Sequence, residues 1–136
     1  MAVNAEVVNV VSKVLLIDDN PVQLSVREAV LRNAGLQVSI AATMASALAI
    51  LRGSGERIGV VVTDHVMPGC SGSEMVRAIR AEKKWLPVIV LSGLSEAEVE
   101  YQDLDVIFRI KPLAPADLIE LVRTSLEEAT RHRGVA

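Results

Sequence analysis

Aromatic side chains are nearly missing from this 136-residue chain: Trp85, Tyr101 and Phe108 are the only three. Any core must therefore be built from Val, Leu, Ile and Ala, and an aromatic at a special position stands out. Cysteine is as scarce. Cys70 cannot form a disulfide within the chain, which excludes the small disulfide-stapled scaffolds and favours a reducing compartment, so a cytoplasmic location is expected. No window approaches the roughly 20 consecutive apolar residues that a membrane span requires. Residues 1–12 lack both the basic region and the apolar stretch of a signal peptide. Nor is there a basic excess: 14 Lys and Arg face 17 Asp and Glu, a net charge of −3. Only Arg131-His132-Arg133 is locally cationic, so neither nucleic acid nor a membrane is an expected partner.

What is present is aliphatic, at 51% hydrophobic residues, in a length that suits one domain with a core of its own. Val14-Leu15-Leu16-Ile17, Val60-Val61-Val62, Val88-Ile89-Val90-Leu91 and Val106-Ile107-Phe108 are short unbroken runs, the pattern of strands covered on both faces. Gln37-Val38-Ser39-Ile40 alternates more and suits a sheet edge.

Segments of helical period separate these runs. Asn20-Pro21 reads as an N-cap and first helical residue, with Val22, Val26, Val30 and Ala34 along one face until Gly35. Thr43 starts a second helix with Ala47, Leu48 and Leu51 inward, closed by Gly53-Ser54-Gly55. A third begins near Ser73, with Met75, Val76 and Ile79 inward and Arg77 and Arg80 outward. Ser95 and Glu98 form the capping pattern of a short fourth helix, and a fifth opens at Pro115 with Leu118, Leu121, Val122 and Leu126 on one side. Five strands alternating with five helices predict a doubly wound parallel α/β sheet. Residues 13–129 are expected to form the domain, with 1–12 a flexible extension and 130–136 a tail.

In such a sheet the working site lies beyond the carboxyl ends of the strands. Asp18 and Asp19 follow the first, Thr63-Asp64 ends the third, Ser92-Gly93 the fourth and Lys111-Pro112 the fifth. Carboxylates crowded together repel unless a cation neutralises them, and hard oxygen donors that leave positions open suit magnesium. Lys111 and Ser92 would complete a set able to hold a transferring phosphoryl group, with one Asp as the nucleophile.

The residues that carry a resemblance are Val14 to Asn20, Val61 to Gly72 with its D-x-x-M-P-x-x-x-G pattern, Val90 to Gly93, and Phe108 to Leu113. Together, over about Lys13 to Ala129, the chain resembles a response-regulator receiver domain of two-component signalling, the family typified by the chemotaxis regulator. The resemblance implies a flavodoxin-like (βα)5 fold of strand order 2-1-3-4-5, with Asp64 as phosphoacceptor. It implies that Asp18, Asp19, Asp64 and the Val66 carbonyl hold Mg2+, and that Ser92 and Lys111 bind the phosphoryl group. It also makes Phe108 the switch aromatic and Pro112 the second residue of a cis peptide. The donor would be a histidine kinase or histidine phosphotransfer protein. Such a domain catalyses only its own phosphorylation and dephosphorylation.

Between Ser92 and Lys111 the chain is about one helical turn shorter than the family norm, so the fourth helix must be truncated or partly irregular. That unsettles the face on which the family reads out phosphorylation, where a homodimer or output-domain contact through strand five and helix five would form. Val66 and Leu94 place apolar side chains where the family tunes water access, from which slow phosphoryl loss is expected. Gly93 is expected to leave room beside the phosphate. His65 reads as a solvated loop side chain, and nothing near Cys70 lowers its pKa. Two rival functions are a pseudo-receiver that only binds a partner and a phosphohydrolase with an aspartyl intermediate. The first usually lacks a key residue, and the second needs a further acid and a cap domain that the sequence does not show.

Overall fold

The computed structural model describes residues 12–53, 57–67 and 69–135, with side chains up to residue 129. Five parallel strands form the central sheet: β1 (Lys13–Ile17), β2 (Val38–Ala41), β3 (Ile58–Asp64), β6 (Val88–Ser92) and β7 (Ile107–Ile110), in the spatial order β2-β1-β3-β6-β7. Two short strands, β4 (Val66–Met67) and β5 (Cys70–Ser71), pair antiparallel in a separate hairpin. Counting only the strands of the large sheet, the order is the expected 2-1-3-4-5.

All seven residues of β3 are buried, because successive side chains enter two different cores. Leu15, Ile17, Val61, Val88 and Val90 face one side of the sheet, against helices α2 (Met44–Arg52) and α3 (Gly72–Glu82) and the segment Ser95–Tyr101. Val14, Leu16, Val60, Val62, Ile89 and Leu91 face the other, against α1 (Pro21–Asn33) and α4 (Pro115–Val135). Phe108 falls in the first core and Ile107 packs against the second, which is the alternation the sequence implies. The last helix continues to Val135 as backbone. Residues 1–11, within the expected N-terminal extension, and Pro68 of the M-P motif lie outside the described residues, as do Ser54 and Gly55, expected to close α2.

Helix α1 opens as expected, with the Asn20 side chain accepting from the N–H groups of Val22 and Gln23, both at 3.0 Å. Gly35 closes it at φ +88°, a left-handed conformation that glycine adopts without steric cost. The inward face is different from the one expected. Leu24 and Leu31 are buried, whereas Val22 and Val26 are 70% and 57% exposed. Both sets follow a helical period, about half a turn apart, and the longer leucines are the ones that reach the sheet. The valines line one wall of an open groove of 540 Å³, opposite Pro112, Leu113 and Pro115.

Two further expectations are corrected. The fourth helix is short and irregular as expected, a seven-residue 3₁₀ helix over Ser95–Tyr101, but its N-cap is Leu94 with no side-chain cap bond. Tight 3₁₀ turns let a short chain cross from β6 to β7, but they do not form the capping geometry expected of Ser95 and Glu98. Arg80 does not point outward. Its guanidinium donates to the carbonyls of Leu104 (2.8 Å), Lys83 (3.1 Å), Leu86 (2.5 Å) and Asp105 (2.8 Å), satisfying irregular backbone at the end of α3 and before β7. Burial pulls its pKa down, with the Asp105 carboxylate opposing. The space around Gly93 is open, since a Cβ there would meet nothing within 4 Å.

Candidate functional site

The parallel register brings the ends of β1, β3, β6 and β7 to one edge, with Ile17 beside Thr63, Asp64 beside Leu91 and Ser92 beside Ile110. Asp18 follows β1 and is 1% exposed, and Asp64 ends β3 and is 5% exposed. Both carboxylates are therefore held where water solvates them poorly and where their charges must be met by protein groups. Burial pushes the Asp18 carboxyl up, and its acidic neighbours Asp64 and Asp19 push the same way. The Asn20 N–H and the Arg27 guanidinium oppose them.

Lys111 meets Asp64 directly. Its Nζ lies 3.0 Å from Oδ1 and 3.3 Å from Oδ2. The lysine is carried by the turn after β7, where its N–H donates to the Ser92 carbonyl at 2.8 Å and the Lys111–Pro112 peptide is cis. Arg27, a residue the sequence reading passed over, reaches in from α1. Its Nη1 donates to Asp18 Oδ2 at 2.7 Å and stands 3.6 Å from Asp64 Oδ1.

The other expected residues are placed less directly. Asp19 is exposed beside Asp18. Val66 lies on the hairpin with its side chain exposed. Ser92 is buried, and its Oγ accepts from the Leu94 N–H at 2.9 Å and donates to the Leu94 carbonyl at 3.2 Å. The loop after Asp64 is pinned by that hairpin and by the Gly72 N–H, which donates to the His65 carbonyl at 2.7 Å. Ser71 then caps α3 in a reciprocal pair with Glu74. Burial, with Glu74 adding to it, pushes the Cys70 thiol up, so this lone cysteine is not an activated one.

His65 departs most from expectation. It is 7% exposed, and its Nδ1 shares a 2.6 Å hydrogen bond with the Tyr101 hydroxyl. The Tyr101 ring meets the His65 ring edge-on at 5.6 Å and the Phe108 ring at 5.7 Å. Three rings thus run from β7 to the loop behind Asp64. A lone loop histidine reads as solvated because its partner lies 36 positions away on a segment without regular α-helical period. For Arg27 a local signal existed: it sits between Leu24 and Leu31 on the stripe that faces the sheet.

Fold and site together define a doubly wound α/β domain with an acidic, lysine-bearing cluster at the carboxyl edge of its sheet. The family model described as the response regulator receiver domain matches residues 14–123. The chain belongs to that family. It is 25% identical to a CheY-like response regulator receiver domain protein from Methanospirillum hungatei JF-1, with a TM-score of 0.80, covering 90% of this chain and 98% of that one. A response regulator receiver protein from Pseudomonas putida is 33% identical, with a TM-score of 0.77, covering 84% and 97%. Among curated relatives, the two-component response regulator ORR7 of Oryza sativa subsp. japonica is 29% identical over 122 residues. The C4-dicarboxylate transport transcriptional regulatory protein DctD of Pseudomonas aeruginosa is 33% identical over 120. The matched regions are 56% and 25% of the length of those two relatives. Among the described residues no helix is long and apolar enough to cross a membrane.

Proposed function

We propose that this receiver domain accepts a phosphoryl group on Asp64 from a phosphohistidine of a histidine kinase or histidine phosphotransfer protein. The observation that carries this reading is the position of Lys111, whose ammonium contacts both oxygens of a nearly buried carboxylate at the sheet edge. In the transfer the phosphorus–nitrogen bond of the donor breaks and a phosphorus–oxygen bond to an Asp64 carboxylate oxygen forms. The leaving imidazole recovers a proton from solvent. Lys111 then pairs with phosphoryl oxygens, a charge-assisted contact stronger than a neutral one.

Among the described residues no three of His, Cys, Asp and Glu are gathered closely enough to hold a metal alone. The donor chemistry nevertheless fits a hard divalent cation, because Mg2+ is commonly held by one or two carboxylates, with waters and a phosphoryl oxygen filling its remaining positions. Asp18, Asp19, Asp64 and the Val66 carbonyl are the groups that would hold it. Bound there, it would offset the negative charge of acceptor and phosphoryl group. Ser92 would leave its own loop to donate to a phosphoryl oxygen, and Phe108 would respond through its contact with Tyr101. Contacts of β7 and α4 with a second copy or an output domain belong to the same proposal, as does a slow loss of the phosphoryl group.

Incubation with a small-molecule phosphodonor and Mg2+, followed by intact-mass measurement, tests it. One added phosphoryl group is expected, and none on Asp64→Asn. An adduct that survives that substitution would overturn the assignment to Asp64, and no adduct on the unaltered protein would leave the binding-module reading ahead.

A further inference from the structure

Arg27 holds the oxygen that a cation at this site would need. Asp18 Oδ1 accepts from the Asn20 N–H at 2.9 Å and Oδ2 accepts from Arg27 Nη1 at 2.7 Å, so both of its oxygens are engaged. The same Nη1 lies 3.6 Å from Asp64 Oδ1. One guanidinium therefore stands between the two buried carboxylates. It is held there from its own helix, since Nη2 donates to Gln23 Oε1 at 3.2 Å, and its side chain is only 14% exposed. Counting Asp18, Asp19 and Asp64 against Arg27 and Lys111, three negative charges meet two positive ones. A Mg2+ ion binds oxygen at about 2.0–2.1 Å. Seated on Asp18 Oδ2 it would crowd a guanidinium already bonded to that oxygen, and like charges that close repel strongly in a poorly solvated pocket.

We propose that Arg27 is an internal cation that competes with the divalent cation for Asp18 and Asp64, so that metal binding requires the guanidinium to leave the pocket. The proposal rests on the phosphoacceptor reading for its cation. It adds that this chain binds the cation more weakly than its carboxylates alone would. Arg27 acts here as a positioning residue that sets the arrangement of the two carboxylates.

The test is Mn2+ binding followed by the electron paramagnetic resonance of free ion, and Mg2+ binding by calorimetry, with no phosphodonor present. Arg27→Met should bind either ion at least about tenfold more tightly than the unaltered protein. Arg27→Lys, which keeps the charge, should stay closer to the unaltered affinity. In chelator Arg27→Met should melt earlier than the unaltered protein and gain more from added Mg2+. Equal or weaker binding by Arg27→Met overturns the competition. Should that variant not fold, the unaltered protein decides. The slowly rotating, hydrogen-bonded guanidinium signals of Arg27 in nitrogen-resolved NMR must change on saturation with Mg2+, and unchanged signals overturn the proposal. If the unaltered protein binds Mg2+ and takes up a phosphoryl group while Arg27→Met binds no tighter, only the competition fails. If neither protein binds a cation, the competition and the Mg2+ part of the functional reading fail together.

Discussion

His65 Nδ1 and the Tyr101 hydroxyl share a 2.6 Å hydrogen bond in the protein interior, directly behind Asp64. The bond joins the loop after β3 to the end of the 3₁₀ segment. On its far side Glu100 Oε2 lies 3.7 Å from His65 Nε2, and Glu100 Oε1 accepts from the Ser73 hydroxyl at 3.0 Å. Tyr101→Phe keeps the ring and removes the oxygen, leaving a buried imidazole nitrogen without this partner. It should lower stability by about 1–3 kcal/mol. Tyr101→Ala also removes the ring contacts and should cost about 3–5 kcal/mol. Urea denaturation curves check both, and a Tyr101→Phe midpoint equal to that of the unaltered protein would show that the bond contributes nothing net.

Tyr101 is the only tyrosine, so tyrosinate absorbance reports this one group. Burial raises its pKa, and the neighbouring carboxylates Glu100 and Asp64 raise it further. The unfolded chain ionises near pH 10, while the folded protein keeps its proton. Above that pH the native state therefore binds more protons than the unfolded state, and stability must fall as pH rises. The expected curve has no tyrosinate signal at pH 10 in the folded protein, then a steep rise that coincides with loss of structure. An ordinary, gradual titration without unfolding would show that Tyr101 is open to water.

Gly72 is the small residue that allows this closure. A Cβ there would have the Tyr101 hydroxyl as its nearest contact and would stand 2.9 Å from His65 Cα and 3.0 Å from the Asp64 carbonyl oxygen. Gly72→Ala should cost about 1–3 kcal/mol by overpacking. Combining it with Tyr101→Phe removes the nearest atom but not the backbone contacts, so the double variant should lose less than the sum of the two single losses. Strict additivity in a double-mutant cycle would place the strain elsewhere.

The contrast between what was legible and what was not follows from the range of each signal. Unbroken runs such as Val60-Val61-Val62 announced a doubly covered strand, and the acids and lysine at strand ends announced the site, because both patterns are local. Helix α1 carried two apolar stripes of the same period, and choosing the valines over Leu24 and Leu31 hid Arg27, the residue between the leucines. Arg80 was legible as a helical residue but not as one whose fork would be used by four carbonyls across the chain. His65 and Tyr101 meet only once β3 and the 3₁₀ segment are in place, and neither residue's neighbours in sequence foretell it.

Lys111 offers the sharpest test of how the site works on the proposal that Asp64 is the acceptor. Its ammonium touches both Asp64 oxygens, yet the side chain is about a quarter exposed, at 27%. Exposure of that kind screens the pair and makes it a modest contributor to folding, whereas a transferring phosphoryl group would bring new charge to the same spot. Lys111→Met leaves the nearly buried Asp64 carboxylate with Arg27, 3.6 Å away, as its cationic neighbour, so the variant should still fold but at a lowered denaturation midpoint. It should slow phosphoryl uptake from a small-molecule donor by about 10²–10³-fold, the scale of losing one preorganised charge partner. Divalent cation binding should not weaken, because a positive charge has left the pocket. The readouts separate the roles: uptake slowed that far in a variant that still folds and keeps cation binding assigns Lys111 to the phosphoryl group, whereas loss of uptake and cation binding along with the fold makes it a structural strut. Unchanged uptake would remove it from the site.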